Sequence, residues 1–212
     1  MKKLVLVLFI AATVGSSAFA QMSIGGGGFF DGLFADKKPK GGGDGTTKTS
    51  IGGGIFVFFD AKYAELDVDL LFGNSKTTKP SNDLKGNDTT HLGFSLLGKY
   101  PFQLGEKFTL FPLVGIDWQI FMGGKNKDTD VEIKREDLKD DFADSMDAFS
   151  IGVGLGGDLA LGTSLYLRGE FLWNFKLLSK IEDKMKDLYD SQFTSGPRVK
   201  IGIGYKFKKK ES

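Results

Sequence analysis

The sequence predicts an all-β chain closed into an eight-stranded antiparallel up-and-down transmembrane β-barrel with long outer loops and short inner turns. Three observations predict it. Residues Ser164 to Leu177 alternate without a break: Leu165, Leu167, Gly169, Phe171, Trp173, Phe175 and Leu177 oppose Tyr166, Arg168, Glu170, Leu172, Asn174 and Lys176. A period of two over that length, with charges at its middle, is longer than a soluble strand needs and suits a wall between lipid and water. The connections between such segments are long and short in strict alternation. Past the N-terminal segment, no stretch reaches the roughly 18 apolar residues of a spanning helix, so a membrane role falls to strands, which survive in lipid only when the sheet closes.

Residues 1–20 read as a cleaved secretory signal: Lys2 and Lys3, the apolar run Leu4 to Val14, and Ala18-Phe19-Ala20 before the cut. The barrel then occupies 21–212. No Cys is present to accept lipid, form a disulfide or act as nucleophile. Once Lys2 and Lys3 leave, acids and bases nearly balance, which excludes a basic surface for nucleic acid. Thirty Gly and 20 Phe in one chain point to a curved sheet, because a disordered segment would expose the aromatics to no purpose.

Each strand follows from its alternation. The first, Met22 to Leu33, is blurred by Gly25 to Gly28. The second, Ser50 to Phe59, holds Ile51, Ile55, Val57 and Phe59 on one face. The third, Ala64 to Phe72, sets Leu66, Val68 and Leu70 against Glu65, Asp67 and Asp69. The fourth, Thr90 to Tyr100, opposes Leu92, Phe94 and Leu96 to His91, Ser95 and Lys99. The fifth, Phe108 to Met122, sets Val114, Ile116 and Trp118 against Asp117 and Gln119. The sixth, Ala148 to Leu159, places Ser150, Gly152, Gly154, Gly156 and Asp158 on the polar side. Ser164 to Leu177 is the seventh. The eighth, Pro197 to Phe207, opposes Val199, Ile201, Ile203 and Tyr205 to Arg198, Lys200 and Lys206.

Long connections (34–49, 73–89, 123–147, 178–196) alternate with short ones (60–63, 101–107, 160–163), so the long loops share one rim. Phe59, Tyr63, Tyr100, Phe102, Phe108, Tyr205 and Phe207 gather at the short-turn ends, and Phe72, Phe121, Phe149, Trp173 and Phe175 toward the long-loop ends, as two interfacial girdles. On these features the mature chain resembles the small eight-stranded outer-membrane barrels of the OmpA, OmpX and OmpW kind. The resemblance implies an outer-membrane location, lipid as surroundings, a monomer, and a terminal strand presented to the barrel insertion machinery. One departure is that Lys208 to Ser212 follows Phe207, whereas the family usually ends on the aromatic.

With the polar face inward, a lumen ion-pair network is expected near mid-depth from Asp67, Asp117, Arg168, Glu170 and Lys200, acting either as a plug or as a gate. Phe56, Phe58, Phe111, Leu113 and Leu172 share the inward parity and would line an apolar part of the lumen, as filling or as a pocket for an apolar solute.

Other motifs lead to no chemistry. Gly152-Val-Gly154-Leu-Gly156-Gly157 matches a dinucleotide pattern without a following helix. Asp128, Asp130 and Glu132 open like a calcium loop but lack its sixth-position Gly, and Gly41 to Gly45 lacks a Gly-Lys-Ser/Thr ending. His91 and Ser95 lie on one face, about 13 Å apart at strand rise, and no acid is placed beside them. No cofactor, metal site or catalytic centre is expected. Short amphipathic helices are expected where Leu138, Phe142 and Met146, and then Leu178, Ile181, Met185 and Leu188, recur at helical spacing. The loops 123–147 and 178–196 are the candidate surface for a ligand. Two roles stand: a narrow channel or carrier for small, even apolar, solutes, or a sealed structural or adhesive barrel whose loops bind host or envelope ligands. A soluble periplasmic barrel would need the apolar face inward.

Overall fold

A computed structural model describes residues 22–39, 46–79, 82–138, 146–177 and 189–207. The signal segment and the charged C-terminal tail lie outside these. Among the described residues there are ten strands: β1 Ser23–Pro39, β2 Thr46–Asp60, β3 Ala64–Lys79, β4 Asn82–Lys99, β5 Phe102–Leu104, β6 Phe108–Asn126, β7 Glu132–Lys134, β8 Ala148–Ala160, β9 Leu165–Leu177 and β10 Tyr189–Lys206. The eight long ones form the barrel, and β5 and β7 are short hairpin partners of β6. No described helix is long and apolar enough to cross a membrane.

All pairings are antiparallel. The first and last barrel strands close on each other from Ser23 against Lys206 upward. β4 pairs β6 from Asn87 against Asn126 to Lys99 against Leu113, which completes the cycle. Each long strand therefore has two neighbours, and no run of backbone N–H and C=O groups is left facing hydrocarbon.

The alternation decides which face is which. Ile55 and Ile201 on the outer wall are 65% and 61% exposed, whereas Arg168 and Lys200 are 0% exposed. Apolar residues face outward and charges inward, the reverse of a soluble barrel. The aromatic bands lie on the outer wall: Tyr63 stacks on Tyr100 with ring centroids 5.9 Å apart, and Tyr100 meets Phe102 at 5.1 Å. Phe121 is a correction, being buried inside the barrel rather than in the outer girdle.

The strands run further toward the long-loop rim than their apolar alternation predicts. β3 and β4 continue above Phe72 and Thr90, pairing Asn74 with Asp88 and Thr78 with Asp83. These segments are rich in Thr, Ser, Asn and Asp, so the hydrophobic signal ends where lipid ends while the hydrogen-bond ladder does not. Likewise β10 begins at Tyr189, with Lys38 against Ser191 and Phe34 against Ser195. The connection expected over 178–196 is thus strand from 189 onward. The helix expected across Leu178, Ile181, Met185 and Leu188 falls on 178–188, outside the described residues. In the 123–147 connection, residues 123–126 complete β6, β7 pairs back onto Gly123 to Lys125, and a 3-10 turn spans Arg135–Asp137. Leu138 is extended there, not helical, and Phe142 lies outside the described residues.

Candidate functional site

The inward side chains form three tiers of charge, stacked along the barrel axis and set among aromatic rings. In the lower tier, at the short-turn rim, Arg168 is the hub. Its Nε donates to Asp158 Oδ1 at 2.7 Å, and its Nη2 donates to Asp158 Oδ2 at 2.8 Å and to Asp60 Oδ2 at 2.6 Å. Nη1 donates to Glu65. Lys99 Nζ donates to the same two acids, Asp60 at 2.5 Å and Glu65 at 2.9 Å. The guanidinium carbon lies 4.6 Å from the Phe58 ring centroid, 5.2 Å from Phe111 and 5.1 Å from Tyr166, so the cation is enclosed by aromatic faces. Below it, the Tyr166 and Ser23 hydroxyls are 2.7 Å apart.

The middle tier pairs Lys200 with Asp67, and the Phe56 ring lies 5.2 Å from the ammonium. Glu170 joins this tier, its Oε1 3.9 Å from Arg168 Nε. The upper tier is centred on Arg198: Nε donates to Asp31 Oδ2 at 2.6 Å and Nη1 to Asp117 Oδ1 at 2.8 Å, with Asp69 at 3.6 Å. Ser95 Oγ also donates to Asp117, at 2.8 Å.

The five residues expected to make one network are thus divided among tiers: Arg168 in the lower, Asp67, Lys200 and Glu170 in the middle, Asp117 in the upper. Asp31, Asp60, Asp158, Lys99 and Arg198 complete the tiers and were not in the expected set. Asp60 and Asp158 could have been found from parity alone, since they continue the inward rows of Phe56 and Phe58 and of Gly154 and Gly156. Asp31 was hidden by the glycines of β1. Phe56, Phe58, Phe111, Leu113 and Leu172 are all buried inside, and Phe111 and Leu113 cluster with Leu97 and Leu172. The Phe56 and Phe58 rings stack at 5.9 Å, and the Lys200, Arg168 and Lys99 cations lie over the Phe56, Phe58 and Phe111 rings.

Inward glycines give the plug its space. A methyl group at Gly156 would run into the Phe111 ring, at Gly204 into the Tyr166 ring, and at Gly93 into the Asp69 carboxylate. In the glycine row of β8, Gly156 is a socket for Phe111 and Gly152 lies against Asn174, while Gly154 lets the Phe171 backbone approach closely.

Above the upper tier lies a vestibule of about 290 Å³, lined by Asp31, Lys48, His91, Gln119, Phe121 and Lys176 among others. His91 packs edge-on to Phe121 at 5.6 Å, while Ser95 is engaged with Asp117, so the two are not a catalytic pair. Outside the wall at the same height, a groove of about 630 Å³ runs over Ile51, Phe72 and Met122 toward Lys125 and Lys134. The β6–β8 connection is clamped beside it: Arg135 Nη1 donates to Asp147 Oδ1 at 2.6 Å and to the Phe121 carbonyl at 3.1 Å, and the Phe121 N–H donates to Asp147 at 2.9 Å. Asp130 pairs with Lys125 at 2.7 Å on the exposed surface of this connection.

Residues 4–174 match the family model of the outer membrane protein beta-barrel domain. Among solved structures, the outer membrane protein OprG from Pseudomonas aeruginosa aligns at 14% identity and TM-score 0.52, over 90% of this chain and 97% of that one. Neisserial surface protein A aligns at 14% identity and TM-score 0.43, over 88% and 97%. Outer membrane protein W of E. coli aligns at 16% identity and TM-score 0.41, over 86% and 98%. No curated protein sequence matches the chain. The OprG likeness bears on fold alone.

Proposed function

The chain belongs to the outer membrane protein β-barrel family, and from that premise we propose that it is a sealed barrel which acts through its outer rim, binding host or envelope ligands with the β-extensions and connections above the membrane. It resides in the outer membrane, short turns inside and long connections outside. The observation that supports a seal is the plug: Arg168 and Lys200 are 0% exposed and Arg198 is 1% exposed, each tied to carboxylates of other strands. Moving one of them aside would strand several carboxylates in a low-dielectric interior, which costs about 3 to 5 kcal/mol for a broken buried pair. A channel for small solutes would have to meet that cost at all three tiers. The vestibule reaches Asp31 of the upper tier, below which Arg198 is buried, and what the protein offers its surroundings is the rim. Export with removal of residues 1–20 belongs to the same proposal.

Single-channel recording after refolding into lipid tests it, with insertion checked by heat-modifiable gel migration. Inserted, silent protein is the expected result. Discrete current steps in the unmodified chain would overturn the seal and return the reading to a narrow channel.

A further inference from the structure

Charge balance inside the barrel is uneven, and the imbalance is located. Among the described residues, eight buried carboxylates face four buried bases. In the lower tier Asp60, Glu65 and Asp158 face Lys99 and Arg168. The upper tier is also acidic, but one of its acids, Asp31, lines the vestibule. The middle tier has no such outlet: Asp67 and Glu170 face Lys200, Glu65 borders them while sharing Arg168 and Lys99 with the lower-tier acids, and the side chains of Glu65, Asp67, Glu170 and Lys200 are all 0% exposed. An uncompensated charge in that setting is unstable, and the lower and middle tiers together hold five carboxylates against three cations, so they need two further positive charges.

The oxygens are arranged to receive them together. One carboxylate oxygen from each of Glu65, Asp67 and Glu170 lies within 4.8 Å of the others. Glu65 Oε1, Asp67 Oδ1 and both oxygens of Glu170 accept no hydrogen bond. Glu170 is the independent pointer: it is 3% exposed, lies in the cluster, and has no donor at all. A calcium ion takes six to eight oxygens in flexible geometry, whereas magnesium demands near-ideal octahedral geometry and keeps several waters, so a closed cluster of carboxylates suits the larger ion. The donors are all hard oxygens, without His or Cys, which suits a hard divalent cation. Lys200 and Arg168 occupy the remaining oxygens of Asp67 and Glu65, which holds those carboxylates in place.

We propose that Glu65, Asp67 and Glu170 form a buried site for a calcium-sized divalent cation, enclosed between the lower and upper tiers. The site rests on the closed lumen proposed above. The ion enters while the barrel assembles and is afterwards caged.

The test is metal content after refolding into phosphatidylcholine vesicles with Ca²⁺ and Mg²⁺ at equal concentration, followed by dialysis against a chelator and elemental analysis. Wild type should retain about one Ca²⁺ per barrel. Glu170→Gln, nearly the same shape, should lose it, and so should Asp67→Asn, the second variant. Asp69→Asn in the upper tier should keep it. An inserted, silent wild type holding no metal would overturn the site and leave the seal standing, because protons would then neutralise the tier. Equal calcium in wild type and both middle-tier variants would also overturn it. Calcium that the chelator strips from a conducting wild type, and that neither variant binds, would overturn the seal and keep the coordination.

Discussion

Arg168 shows how much of this protein depends on single side chains. It bonds Asp60, Glu65 and Asp158 from two walls while three aromatic rings enclose it. Arg168→Ala leaves those acids with Lys99 as their remaining base, and we expect a loss of about 3 to 5 kcal/mol in urea unfolding from vesicles followed by tryptophan fluorescence. Arg168→Lys should fall between, because an ammonium keeps the charge but cannot make the forked contacts. Glycines separate by face in the same assay. Gly204→Ala meets the Tyr166 ring and should cost about 1 to 3 kcal/mol. Gly169→Ala, on the outer face with nothing within 4 Å of the added methyl, should be neutral or stabilising by about 0.4 to 1 kcal/mol. The parity of a residue was legible from sequence; its partner was not. Asp117 and Arg168 are both inward by alternation, yet they belong to different tiers, because tier membership depends on strand stagger around the barrel.

At the scale of the strand, the outer wall is tested by charge. Ile116→Arg or Leu167→Arg places a cation against hydrocarbon at mid-strand and should cost about 2 to 4 kcal/mol of stability in a bilayer. If refolding into lipid were indifferent to both, the faces would be assigned the wrong way round. Strand centres were readable because each lies between unlike media, lipid and lumen, which imposes a period of two on side chains. Strand ends were not. Residues 73–79 of β3 read Gly-Asn-Ser-Lys-Thr-Thr-Lys and include no apolar side chain, so no hydrophobic contrast marks them, although their backbones pair with β2 and β4.

For the whole molecule, the barrel should be separable from its rim. Replacing residues 127–146 by a short turn removes the Arg135–Asp147 clamp but leaves the β6–β8 register from Gln119 against Ala148 downward. We expect heat-modifiable migration to persist with stability changed by about 1 kcal/mol or less, since loop length acts only through a slowly varying closure entropy. Binding to cells or envelope material should be lost. Fold class, strand number, the side facing lipid and the outer-membrane setting were determined by the sequence itself, because periodicity and loop length are local properties that a bilayer selects directly. Closure of β1 on β10, the three tiers, the glycine sockets and the uncompensated middle of the lumen were decided only in three dimensions. Strand tilt and stagger set which inward residues share a height, and one-dimensional alternation carries no record of height.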